Sequence, residues 1–273
     1  MDFTLKTYRS LLESLQKNGY TFLPFREFIE TNHSLTQSTN QSIIILRHDV
    51  DNLKHNSLLF AKIENEFGIR GSYYFRIVPQ SFDEKVIQEI AILGHEIGYH
   101  YEDIDLVYQH KLFNKSTNQQ INTDALIDIA YESFCENLTR LRNIYPVKTI
   151  CMHGSPRSKY DNKLMWEKYD YKQLGITGEP YLDINWNEFA YLTDTGRKWN
   201  GDSVSVRDKV NSAYQFNFKT TYDIIKNINT LPDKVMITTH PQRWTDKPIP
   251  WLLELLIQNI KNVYKKWFLV KRT

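Results

Sequence analysis

Apolar residues recur at helical spacing in residues 4–17 (Leu5, Tyr8, Leu11, Leu12, Leu15) and stop at Asn18-Gly19. That spacing predicts an amphipathic helix with a C-terminal stop. A shorter turn of helix is expected over residues 25–30, followed by a polar Asn/Ser/Thr/Gln connection over residues 31–41. The pattern then changes to Ile43-Ile44-Ile45-Leu46, apolar without alternation, which reads as a strand buried on both faces. Further strands are expected over residues 72–77, 95–101, 148–153, 171–176, 188–193 and 234–239. Helical patterns fall over residues 56–67, 82–93, 124–144, 161–167, 221–228 and 250–268. Residues 106–123 read as a polar loop with a little helix, and residues 198–217 as irregular. Seven strands alternating with helices predict a parallel sheet or barrel in a single α/β domain over residues 1–273, with residues 1–42 as an N-terminal helical extension.

Composition narrows the picture. The chain has 34 Lys plus Arg against 32 Asp plus Glu, so no overall basic field points to nucleic acid or to an anionic membrane surface. The segment over residues 249–260 is broken by Glu254 and Gln258 and is too short to span a bilayer. The N-terminus lacks a basic region followed by an apolar run, so a cytoplasmic protein is expected. Cys135 and Cys151 fall in apolar patterns and are expected as buried free thiols. Aromatic residues make up 14% of the chain, which fits either a bulky core or rings that stack on sugars.

The chemistry stands at the strand ends. The buried run at Ile43 continues into Arg47-His48-Asp49-Val50-Asp51, whose two carboxylates share a side if the extended conformation persists. Close carboxylates repel, so the pair calls for a cation or a shared proton. Three more polar clusters follow strands: Gly94 to Asp103, His153-Gly154-Ser155-Pro156, and Thr239-His240-Pro241. In an α/β barrel such ends meet on one face. Carboxylates with imidazoles suit a divalent metal of the zinc type, which takes nitrogen and oxygen ligands and acidifies water.

These residues carry a resemblance. His48-Asp49-Val50-Asp51, then Gly94-His95-Glu96-Ile97-Gly98-Tyr99-His100, then a late strand ending in His240, resembles the polysaccharide deacetylase superfamily. It is most similar to the divergent cytoplasmic branch found with surface-polysaccharide biosynthesis, and the resemblance runs from about Ile43 to Trp244. It implies a distorted (β/α)7 barrel and a metal-dependent hydrolase that removes an acyl group, usually acetyl, from an N-acylated sugar. That sugar could be nucleotide-linked, lipid-linked or part of a glycan. By the resemblance Asp49 is the general base, Asp51 and His100 hold the metal (zinc, with cobalt or nickel as alternatives), and His240 is the general acid. His95 is expected to be structural.

The chain departs from the family pattern twice. The second metal histidine should lie four residues after His100, where Ile104 stands, and Asp103 is the expected replacement. Glu102, His48, His153 or water are the alternatives. The family's arginine–proline motif, which orients the base, is replaced by the His153 cluster. Arg76, His153, Asp194, Arg197 and Trp199 are expected to contact substrate. An ordinary salt bridge for Arg76 and a plain turn for residues 194–199 are the competing accounts. Trp244 is expected to wall the acyl methyl. Two other functions share these motifs: a sugar-binding relative without catalysis, and a deformylase of an N-formyl aminosugar.

Overall fold

The computed structural model describes residues 1–32, 41–113, 122–154, 158–199, 210–265 and 267. The chain opens with helix α1 (Leu5–Lys17), strand β1 (Thr21–Leu23) and helix α2 (Phe25–Asn32), then enters β2 (Ile43–Val50) and α3 (Lys54–Glu66). There follow β3 (Ser72–Phe75), α4 (Glu84–Ile92), β4 (Glu96–Tyr101), α5 (Asp103–Phe113), α6 (Thr123–Arg142) and β5 (Ile150–Met152). Short helices α7 (Met165–Lys168) and α8 (Pro180–Asp183) lead to β6 (Ala190–Thr193), α9 (Thr221–Lys226), β7 (Lys234–Thr239) and the closing α10 (Pro248–Tyr264).

All strands pair in parallel, in the order β5-β4-β3-β2-β7-β6. One flank of β2 is shared. Its first half pairs with β1 (Thr21 opposite Ile43) and its second half with β3 (Arg47 opposite Ser72). Edge strands β5 and β6 are not paired with one another among the described residues, so the barrel is open. It is nonetheless curled. Cys151 on edge strand β5 shares one apolar cluster with Tyr74, Ile45, Met236 and Phe189, and Phe25, Phe28 and Ile29 of α2 fill it from within. A larger cluster packs the helices against the outer face. Two apolar layers on one sheet explain why β2 is apolar without alternation. The fold is the expected distorted barrel.

The interior is tight enough to dictate a residue. A Cβ built on Gly98 would lie 2.3 Å from the Tyr74 ring and 3.1 Å from the Thr149 carbonyl oxygen. Only glycine lets β4 pass this side chain.

Two elements differ from the sequence pattern. Residues 171–176 are not a strand: Tyr171–Leu174 form a 3-10 turn, started by Asp170 accepting the Lys172 amide and stopped by Gly175 at φ +70°. The seventh strand is β1, whose three residues are too short for a periodic signal. Within the stretch read as a polar loop with a little helix, α5 runs to Phe113, with Asp103 and Asp105 favouring its N-terminus; residues 114–121 lie outside the described residues.

Candidate metal and acid–base site

The second half of β2 carries the first components. Arg47 and Asp49 point to the same side because they stand two apart on a strand. Arg47 donates Nε to Asp49 Oδ1 at 2.9 Å and Nη2 to Asp49 Oδ2 at 2.7 Å, a bidentate pair that is almost wholly buried. Nη2 also donates to the Tyr181 hydroxyl at 2.8 Å. Burial pushes the Asp49 carboxyl up, but Arg47 and then His100 outweigh it and hold the pKa below the usual carboxylate range. The guanidinium that pairs with Asp49 thus comes from the same strand, two residues earlier.

Three imidazoles converge on Asp51, just past the end of β2. His100 Nε2 and His153 Nε2 each lie 3.5 Å from Asp51 Oδ1, and His240 Nε2 lies 3.9 Å from Asp51 Oδ2. In each ring the other nitrogen is held from behind. His100 Nδ1 is 2.9 Å from the Cys151 carbonyl oxygen, His153 Nδ1 is 2.8 Å from Glu102 Oε2, and His240 Nδ1 is 2.6 Å from Asp194 Oδ1. For His100 and His153 the tautomer with Nδ1–H donating leaves the Nε2 lone pair facing Asp51. Burial raises the Asp51 pKa, yet His100, His153 and His240 together hold it well below the carboxylate range. The His100 imidazole goes the other way: burial lowers it, and Asp49 and Asp51 more than restore it, so its pKa is raised.

Asp51 Oδ1 is buried and accepts no hydrogen bond, an arrangement that costs free energy unless something else binds there. Asp51, His100 and His153 each offer one atom within 4.8 Å of the other two. One carboxylate oxygen and two imidazole nitrogens, two of them backed by outer hydrogen bonds, match the donor chemistry of a zinc-type cation. The residues fit the group that the motifs call for.

The opposite side of Asp51 faces His240 and the residues that hold it. Asp194, fully buried, accepts from the His240 amide, from Arg243 Nη1 at 2.9 Å and from Trp244 Nε1 at 2.7 Å, besides facing His240 Nδ1. Burial raises its pKa, but His240 and then Arg243 hold it below the usual range. It is therefore a fixed negative charge behind His240. Gln242 Nε2 donates to Asp51 Oδ2 at 3.2 Å.

The structure brings Asp49, Asp51, His100, His153 and His240 together, with Asp194 behind. It does not bring Asp103. That carboxylate starts α5 and turns away from the cluster to accept from Tyr99, Ser133 and Asn137, and burial pushes its pKa up to about 6. His153, just past the end of β5, completes the group with Asp51 and His100 instead. Glu102 holds His153 and takes a bidentate pair from Arg76, so it lies behind the cluster. Arg76 pairs with Glu102 rather than with Asp49, and also donates to the Asp51 carbonyl at 3.1 Å. Arg197 and Trp199 are buried on the outer side. Arg197 Nη1 donates to the Trp251 carbonyl oxygen and its guanidinium stacks on the Trp251 ring. Trp199 Nε1 donates to Thr221 and its ring lies among Phe3 and Trp244. Trp244 holds Asp194 and is 1% exposed, packed in the outer core rather than open to solvent.

His48 and His95 face the outer layer. His48 contacts Thr239 and lies 2.9 Å from the buried Glu64, and His95 bridges the Gly71 amide and the Ala61 carbonyl. Ser155 and Pro156 lie outside the described residues. No described helix is long and apolar enough to cross a membrane.

No family model and no curated protein matches the chain. Solved structures share its general course at low identity. A Streptococcus pyogenes deacetylase in complex with acetate is 12% identical, over 93% of this chain and 85% of that one, with a TM-score of 0.46. A de-N-acetylase from Aggregatibacter actinomycetemcomitans is 11% identical over 68% and 76%, with a TM-score of 0.47. A family 4 carbohydrate esterase from Bacillus anthracis is 13% identical over 100% and 97%, with a TM-score of 0.40. At these identities the similarity assigns no chemistry to individual residues of this chain.

Proposed function

We propose that the chain is a metal-dependent hydrolase that removes an N-acyl group, acetyl in the first instance, from an amino sugar used in surface-polysaccharide biosynthesis. The observation that carries this reading is the buried, unbonded Asp51 Oδ1 between two imidazole Nε2 atoms, with a buried carboxylate on one side and a carboxylate-backed imidazole on the other. Asp51, His100 and His153 would hold a divalent cation, zinc by donor type. Bound there, such a cation supplies Lewis acidity, polarising an amide carbonyl and making water acidic enough to attack at neutral pH.

The chain's own residues do the rest. Asp49, kept ionised by Arg47, accepts a proton from the attacking water. Asp194 stabilises the positive charge on His240, which delivers a proton to the leaving nitrogen. Without that proton the amine would be a very poor leaving group. Positioned proton transfers of this kind are each worth roughly 10²–10⁴-fold. Sugar specificity and the choice between acetyl and formyl follow from the shape of the acyl pocket.

The test is release of a primary amine from a panel of N-acetyl and N-formyl amino sugars by zinc- or cobalt-loaded protein. Turnover that disappears in Asp49→Asn and in His240→Ala, both still folded, is the expected result. A loaded, folded protein that releases no amine, or an Asp49→Asn variant as active as wild type, would overturn the reading.

A further inference from the structure

Helix α10 is apolar on the side facing away from the protein. Its inner side is polar: Asn262 donates to the Gly196 carbonyl, the Trp251 carbonyl accepts from Arg197, and Gln258 and Asn262 are buried. The outer side carries Ile249, Leu253, Leu256, Ile260 and Val263, and Trp267 keeps the spacing just past its end, each between 51% and 73% exposed. Their spacing alternates four and three residues, so they form one stripe along the helix. The largest apolar patch on a typical monomer is roughly 300–600 Å². Six large side chains exposed to this degree reach or exceed that range.

Two features decide what covers it. The stripe is wider than a two-helix seam, because Leu252 and Ile257, 51% and 44% exposed, flank it where a paired helix carries charges that choose its partner. The charge is also one-sided. From Lys261 to Thr273 the sequence has five basic residues and no acidic one. In an antiparallel pair of copies Lys261 and Lys265 would meet the first half of a second α10, whose acid, Glu254, is turned to Gln258. In a parallel pair, like charges would face each other. A broad apolar face with Trp267 and lysines at its end instead matches a surface of anionic lipid. The near-neutral balance of the whole chain conceals this local excess.

We propose that α10 lies in the interface of an anionic phospholipid membrane and docks the protein there without spanning it. The helix is pinned to Gly196 and Arg197, in the turn directly after Asp194, so docking would hold the candidate site close to the lipid surface. The inference does not depend on the hydrolase reading.

It is tested by pelleting the full chain with phosphatidylcholine vesicles with and without phosphatidylglycerol, beside the double variant Leu256→Glu/Ile260→Glu. Both positions are exposed, and the variant's melting temperature checks its fold. Expected are binding to the anionic vesicles that weakens with salt, and partitioning about tenfold or more weaker in the folded variant. Wild type that stays in the supernatant with anionic vesicles overturns the proposal. So does a light-scattering mass of two chains that the same substitutions halve, since a second copy would then cover the face.

Discussion

His153→Ala is the substitution that most sharply tests the candidate metal site, because the side chain has two separable contributions. Its Nδ1 hydrogen bond to Glu102 is the smaller one for stability. Glu102 keeps its bidentate pair with Arg76 when the imidazole is gone, so no buried charge is orphaned. One lost hydrogen bond with its partner still satisfied costs about 1 kcal/mol. The contribution of Nε2 is larger. Losing an outer partner of a metal ligand already weakens binding roughly 10–100-fold, and losing a ligand outright should exceed that. His153→Ala should therefore melt only slightly below wild type while binding zinc at least about 100-fold more weakly.

Asp103→Asn is the matching control. Its carboxylate is committed to Tyr99, Ser133 and Asn137 on the α5–α6 side, and the amide keeps an oxygen to accept from Ser133 and Asn137. Zinc affinity in that variant should match wild type. The assay is chelator competition with zinc, supported by elemental analysis of dialysed protein. If His153→Ala keeps wild-type affinity, or if Asp103→Asn loses the metal instead, the assignment of the third ligand is wrong.

Three further outcomes follow from other contacts. Asp194→Asn removes the negative charge behind His240 Nδ1, so kcat should fall roughly 10²–10⁴-fold with zinc affinity unchanged; an unaltered kcat would free Asp194 of any role. Gly98→Ala places a methyl 2.3 Å from the Tyr74 ring, an overpacking that should cost about 1–3 kcal/mol in urea denaturation, and no loss would mean that the barrel interior gives more easily than its packing implies. Glu179 is fully buried, and burial pushes its pKa from 4.5 up to about 7 against three backbone amides that favour the charged form. Below pH 4.5 it is protonated in both the folded and the unfolded chain. Between pH 4.5 and 7 only the unfolded chain ionises, so the group withdraws up to about 3 kcal/mol of stability as pH rises. Glu179→Gln should abolish that part of the slope measured by urea denaturation at pH 5 and pH 8, and an identical slope in both proteins would refute the shift.

Much of this architecture was legible because it rests on local signals. The run from Ile43 to Leu46 had to be buried on both faces, and the polar residues that end it had to reach the strand ends where a barrel gathers side chains. What escaped was set by distance in space. Strand β1 has three residues and takes its place only from β2. Asp103 was ranked ahead of His153 on spacing, but the choice depends on where the chain turns after β4 and β5. Arg197 and Trp199 looked like recognition residues because they follow a strand, yet the turn at Gly196, φ +68°, carries them into the outer core beside Phe3 and Trp251.

Arg47 illustrates why the candidate residues were easier to read than the parts that support them. The motif marked Asp49 as a base, but a base in a barrel interior must be kept ionised against desolvation, and the arginine–proline motif expected to orient it was missing. The requirement is electrostatic rather than positional, so any strand that can deliver a guanidinium to the carboxylate meets it. Here the arginine stands two residues earlier on the same strand, where the pleat alone guarantees the meeting. The same logic applies to the proposed third metal donor. The proposed site calls for a nitrogen backed by a carboxylate at one point in space, and His153 with Glu102 stands there, just past β5. Motif spacing is thus one solution among several to a fixed constellation of charges.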